Sequence, residues 1–118
     1  MGLTLTGISS GAAVVAGQPS PELLNENGTA HFGYLAALMD SALSAAVVTL
    51  IPQETSVGTT QLNLHSLRPI PAGTALLCQA FAQHIDLTVA TARAAVFGEA
   101  DGTLHAYGTA TFTISHSQ

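Results

Sequence analysis

Residues 31–51 read HFGYLAALMDSALSAAVVTLI, and Asp40 is the one charged side chain in that run. A carboxylate among apolar neighbours costs several kcal/mol to bury unless it is paired or used. The same surroundings raise its pKa and its basicity, which suits a general base at neutral pH. Nine residues earlier, His31, Phe32 and Gly33 stand where a helix is expected to begin. The unpaired N–H groups and positive dipole end of a helix N-terminus stabilise negative charge developing on a carbonyl oxygen. Base and oxyanion donor cannot serve one carbonyl from one helix, because nine residues span ~13 Å at 1.5 Å per residue. Two helices packed antiparallel about a twofold axis bring His31 of one copy to the partner's Asp40. Chemistry by this pair therefore requires a dimer with two composite sites.

The elements that position these groups are readable in outline. QPSPELLNENGTAH, rich in Pro, Asn and Gly, is a loop. Asn27, Gly28 and Thr29 offer turn and cap chemistry, so the helix is expected from about His31 to Leu50, ended by Pro52. Leu35, Leu38, Met39, Leu43, Val47 and Leu50 make it apolar on nearly every side, the pattern of a helix wrapped by other structure. Ala36, Ala37, Ala42, Ala45 and Ala46 allow a sheet to approach closely. GAAVVAG is a strand before the helix. SVGTTQLNLHSL, TALLCQAFAQHI, TVATARAAVF and LHAYGTATFTI follow it, with a break at RPIPAG, a joint near Asp86 and an Asp-Gly hairpin signal in EADGT. Strand, helix and a four-strand meander predict an α+β fold, one long central helix wrapped by a five-stranded antiparallel sheet, as a single domain over residues 1–118.

Composition excludes several function classes. Hydrophobic residues make up 47% of the chain and charged residues 8%. So apolar a surface points to burial against another copy. There is no Lys, the two Arg are Arg68 and Arg93, and the net charge is −5. Nothing here neutralises a phosphate backbone or an anionic bilayer, so neither nucleic acid nor membrane is an expected partner. Cys78 is the only cysteine, which excludes an intrachain disulfide and a cysteine-based metal site. His65, His84, His105 and His116 have no metal-ligand spacing and read as strand or tail residues. Residues 35–51 are too short for a membrane span of roughly 20 residues. The N-terminus lacks the basic and long apolar regions of a signal peptide, so a cytoplasmic location is expected.

Loop and helix together read Asn25-x-x-Gly28-x-x-His31-x-Gly33, with Asp40 further along and TTQLNLHSLRPIPAG downstream. This resembles the hotdog-fold acyl-CoA thioesterases of the phenylacetic-acid-pathway type, relatives of 4-hydroxybenzoyl-CoA thioesterase. That family commonly carries N-x-x-G-x-x-H-G-G, a helical Asp or Glu, and a strand ending in R-P-x-x-x-G. The resemblance spans about residues 22–115 in the expected element order. It implies that Asp40 is the catalytic carboxylate, acting as base or nucleophile toward the thioester. It implies that Asn25 orients water or substrate, that His31 is the motif histidine, and that Thr59 is the strand hydroxyl assisting the carboxylate. Phe32 departs from the pattern, replacing the first Gly of the pair whose backbone N–H forms the oxyanion hole. Its N–H persists, but its side chain reshapes the surroundings. Gly33 keeps the second position. The resemblance also implies an acyl-CoA substrate, no metal or redox cofactor, and a homodimer or dimer of dimers.

Each residue also has a plainer reading. Asp40 can be a structural acid bonded to Ser44 or Thr59, His31 a helix-start residue, Asn25 a loop former, Thr59 an ordinary strand residue. Arg68, before Pro69, either grips a coenzyme A phosphate or blunts a strand end, and Arg93 takes no role. Phe32, Tyr34 and Met39 are candidates to line a pocket for an aryl or medium-chain acyl group. Two other functions fit the fold. A hydratase or dehydratase normally carries a different histidine motif with a Pro-rich stretch absent here. A catalytically silent protein binding an acyl or aromatic ligand fits the missing Gly and the scarcity of cations, but not the retention of Asn25, His31, Asp40 and Thr59.

Overall fold

A computed structural model describes residues 2–20 and 31–116. Six strands and one helix run in the order β1 (Thr4–Ser9), β2 (Ala12–Gly17), α1 (Phe32–Val48), β3 (Thr55–Ser66), β4 (Leu76–Ile85), β5 (Val89–Gly98) and β6 (Leu104–His116). All strand pairs are antiparallel, in the sheet order β1-β2-β4-β5-β6-β3. The sheet thus has six strands rather than the expected five. The additional one is β1, joined to β2 through Ser10 and Gly11, with Gly11 at φ +77°. Only glycine adopts that angle without penalty, so Ser10-Gly11 is a hairpin turn at the start of the run GAAVVAG, and β1 before it had not been read as a strand.

The expected meander holds for β4, β5 and β6 but not for β3. That strand pairs with β6 at the far edge, from Thr55 opposite His116 to Ser66 opposite Ala106. The chain after β3 therefore crosses to the interior of the sheet through the RPIPAG segment. The β4–β5 turn is held by Asp86, as its position in the sequence suggested. Its carboxylate pairs with His84 (3.0 Å) and accepts from the N–H groups of Thr88 and Val89 (2.9 Å each). Those contacts, His84 first, hold the Asp86 carboxyl well below the usual range.

The helix starts at Phe32, with His31 as an extended N-cap whose side chain makes no capping bond. The expected cap residues Asn27, Gly28 and Thr29 lie outside the described residues. At the other end, the Thr49 hydroxyl donates to Ala46 O and accepts from Gly11 N, both at 2.7 Å, so one side chain closes the helix and anchors the β1–β2 hairpin. Tyr34, Leu35, Leu38, Met39, Ala42, Leu43, Ala46 and Val47 are buried against the sheet. Ala36, Ala37, Asp40, Ser41, Ser44 and Ala45 are only half-buried. The sheet covers the helix as expected, and the flank carrying these residues is left half-open. No helix among the described residues is long and apolar enough to cross a membrane.

The sheet meets the helix with small side chains: Ala13, Ala80, Ala90, Ala92, Ala94, Ala106 and Ala110 are all buried. Cys78 lies in the same layer, and burial pushes its thiol up to about 12, which makes it unreactive. Gly108 marks the tightest approach. A Cβ there would meet Asn63 O on β3 and come within 3.0 Å of Met39 Cε on the helix. Gly108→Ala is expected to cost about 1–3 kcal/mol through overpacking. Urea denaturation of the variant measures this, and unchanged stability would show that β3 and the helix yield freely.

Candidate active site

Asp40 sits on the half-buried flank of α1, facing the edge strand β3. The Thr59 hydroxyl donates to Asp40 Oδ1 at 2.7 Å. The contact depends on a local irregularity. Thr59 pairs with Phe112 and Gln61 with Thr111, so Thr60 is an extra residue, a β-bulge. Before the bulge Val57 and Thr59 share the helix-facing parity; after it Leu62 and Leu64 do. Without the extra residue, either Thr59 or the pair Leu62 and Leu64 would face away from the helix. The change of parity in SVGTTQLNL is the sequence signal for this bulge.

At the helix N-terminus Tyr34 N and Leu35 N bond to His31 O (3.0 and 3.4 Å). Helical geometry leaves the amides of Phe32 and Gly33 without intrahelical acceptors. His31, Phe32 and Gly33 are all exposed, and a Cβ on Gly33 would meet nothing within 4 Å. Gly33 and Asp40 are seven residues apart, two turns, so they lie on the same face about 10 Å apart. The chain thus presents backbone amides without intrahelical acceptors and a carboxylate on one open stripe, too far apart to reach a single carbonyl.

Of the other expected site residues, Asn25 lies outside the described residues. Tyr34 and Met39 belong to the protein core, 1% and 0% exposed. Both side chains pack in the core and line neither of the two clefts described below. Phe32, at 58% exposed, remains available. Arg68 is exposed and lines a cleft of about 690 Å³ with His105, Gly98 and Asp101. A smaller depression of about 370 Å³ on the outer sheet face is lined by Phe81, Phe97 and Tyr107 among others. There Arg93 lies 4.9 Å from the centroid of the Phe81 ring, a cation–π contact that gives this arginine a structural use. Neither cleft is lined by Asp40 or Thr59. Among the described residues no cluster of His, Cys, Asp and Glu has the geometry to hold a metal ion.

Two features were invisible in the sequence. His105 Nδ1 and the Tyr34 hydroxyl are buried without a hydrogen-bond partner among the described residues, and burial raises the Tyr34 pKa. The Tyr34 oxygen lies 2.5 Å from where a Cβ on Gly17 would stand, so glycine at that strand end makes room for it. A buried hydroxyl without a partner forfeits about 1–3 kcal/mol. Tyr34→Phe is therefore expected to leave the melting temperature unchanged or raise it, and a clear fall by calorimetry would reveal a hydrogen bond to that oxygen.

Comparison with known proteins bears on the family and the fold. The family profile described as "Thioesterase superfamily" matches residues 27–105. The chain is similar to the TT0310 protein from Thermus thermophilus, with 35% identity, a TM-score of 0.85, and 95% of this chain and 91% of that one covered. It is similar to a point mutant of the phenylacetic acid degradation protein PaaI from the same organism, with 34% identity, a TM-score of 0.85, and 95% and 92% covered. A thioesterase family protein from Silicibacter pomeroyi shares the fold at a TM-score of 0.91 and 22% identity, over 98% of this chain and 86% of that one. No curated protein matches the sequence significantly.

Proposed function

This chain belongs to the thioesterase superfamily, and on that basis we propose that it hydrolyses an acyl-CoA thioester to the free acid and coenzyme A. The observation that carries the reading is the 2.7 Å hydrogen bond from Thr59 to Asp40, on the same open helix face as the Gly33 amide. The Thr59 proton engages Oδ1, which orients the carboxylate and leaves Oδ2 to take a proton from water. That water attacks the thioester carbon. The amides of Phe32 and Gly33 in a second copy receive the oxyanion, because those of the same helix are too distant. The thiolate of coenzyme A then leaves. In a second route Asp40 attacks the thioester carbon, the coenzyme A thiolate leaves, and water opens the resulting anhydride; opening at the Asp40 carboxyl carbon leaves solvent oxygen in Asp40. Neither route calls for a metal or redox cofactor.

Edge strand β3 supplies the place for the second copy. It is twelve residues long, and only its β6 side is paired among the described strands. An edge of that length invites another strand. A copy added antiparallel there continues the sheet, sets the two helices side by side and turns the half-open Asp40 stripe into an enclosed pocket. Phe32, exposed at the helix start, then lines that pocket and suits an aryl or medium-chain acyl group.

Asp40→Asn keeps the shape and the hydrogen bond from Thr59 but removes the base. It is expected to lower kcat by about 10²- to 10⁴-fold with little change in KM. Its melting temperature should equal or exceed the parent's. A destabilised but active Asp40→Asn would end the catalytic assignment. In sedimentation the chain should run as a dimer or a dimer of dimers at micromolar concentration, and a fully active monomer would rule out the composite site.

A further inference from the structure

The outer face of the sheet carries a depression of about 370 Å³ that the chemistry at Asp40 does not use. Its floor is Ala95. That residue pairs with Gln79 on β4 and with Tyr107 on β6, and two positions away along β5 stand Arg93 and Phe97. Alternation puts all three β5 residues on the outward face, since Ala94 and Val96 between them are buried. One small side chain ringed by four large ones leaves a concavity in the sheet surface. Its volume falls within the ~300–1,000 Å³ of small-molecule sites.

The walls are aromatic and braced. The His65 ring stacks on Tyr107, with centroids 4.8 Å apart and planes 19° off parallel. Arg93 stands over the Phe81 ring, 4.9 Å from its centroid. Phe81 and Tyr107 nevertheless remain 40% and 45% exposed, so flat apolar surface is left open. A guanidinium lying on a ring face keeps its N–H donors for another partner. Among the described residues no carboxylate pairs with Arg93.

Charge decides what fits. None of the acidic residues lies on the outward positions of β4, β5 or β6. Asp40 is on the helix, Glu54, Asp86, Glu99 and Asp101 stand in the segments between elements, and Glu22 and Glu26 are outside the described residues. Two copies stacked sheet to sheet would therefore bury Arg93 with no carboxylate from this face, which is costly. A small anion supplies the missing charge. A simple anion is not enough, because the chain carries −5 and one arginine is the local attraction. The rings of Phe97 and Tyr107 add affinity for a planar aromatic body. We propose that the depression binds a planar aromatic anion, its ring on Ala95 between Phe97 and Tyr107 and its charge on Arg93. The site lies on the face of the sheet opposite the helix, away from Asp40, and does not rest on the thioesterase reading.

The probe is 2-naphthalenesulfonate, which is flat, permanently charged and not a carboxylic acid that hydrolysis could release. In an NMR titration it should saturate at about 1 mM or below and shift the Ala95 methyl and Tyr107 ring signals. Arg93→Gln, an exposed substitution, should weaken binding at least about tenfold. Ala95→Leu should abolish it by filling the floor, and both variants should keep the parent's melting temperature. Neutral 2-naphthalenemethanol and ring-free methanesulfonate should each bind at least about tenfold more weakly than the probe. No saturation by about 10 mM, binding indifferent to Arg93→Gln, or shifts confined to Gly33, Ala37 and Asp40 overturns the proposal. So does methanesulfonate binding as tightly as the probe. If the parent binds no probe and the two variants instead dissociate an oligomer in sedimentation, the face belongs to a second copy and the proposal falls. A chain that hydrolyses no thioester yet binds the probe refutes the thioesterase reading and leaves this site standing.

Discussion

Everything in this molecule hangs on how closely one helix approaches one sheet. The central strands offer mostly alanine to the interface, while the bulk comes from the helix: Tyr34, Leu35, Leu38, Met39, Leu43 and Val47. Large side chains from one layer filling a floor of small ones leave few alternative packings. Rotating the helix would lift leucines off the alanines and drive Asp40 toward the core. The apolar contact thus sets where the carboxylate points, and the polar hydrogen bond to Thr59 takes advantage of a direction already decided.

Two departures from regular strand geometry do the rest. The extra residue at Thr60 turns a hydroxyl toward Asp40, and the extra residue at His105 turns an imidazole inward beside Gly98. A regular strand offers only alternate positions to each face, so a polar group wanted on the inner face otherwise displaces a core residue. A bulge avoids that exchange. Both bulges lie on strands at the β3 side of the sheet, the side left without a neighbour among the described strands.

The sequence made the helix, the meander of β4 to β6 and the candidate carboxylate legible, because periodicity and turn chemistry are local signals. Asp86 and the Asp-Gly pair marked real turns, and Thr59 does meet Asp40. What escaped depends on pairing. A hairpin at Ser10-Gly11 is visible only once both flanking runs are accepted as strands, and the first, TLTGIS, is interrupted by glycine and largely exposed. The placement of β3 beside β6 rather than β4 is a choice among strands that no local pattern encodes. Tyr34 and Met39 looked like pocket residues because they flank the motif. In the fold their helical positions point inward with Leu35 and Leu38.

The pairing of β3 with β6 also bears on how the chain acquires its shape during synthesis. The partners are separated by up to sixty-one residues, Thr55 facing His116. Contacts so distant along the chain form slowly, since the intervening loop must be closed before any bond rewards it. On a ribosome the helix and Asp40 emerge well before β6, yet β3 has no place in the sheet until β6 is available. For that interval the carboxylate lacks the Thr59 hydrogen bond and a twelve-residue strand has no neighbour on either side. The nascent protein is then most open to pairing with another chain, and a second copy of itself offers the matching edge.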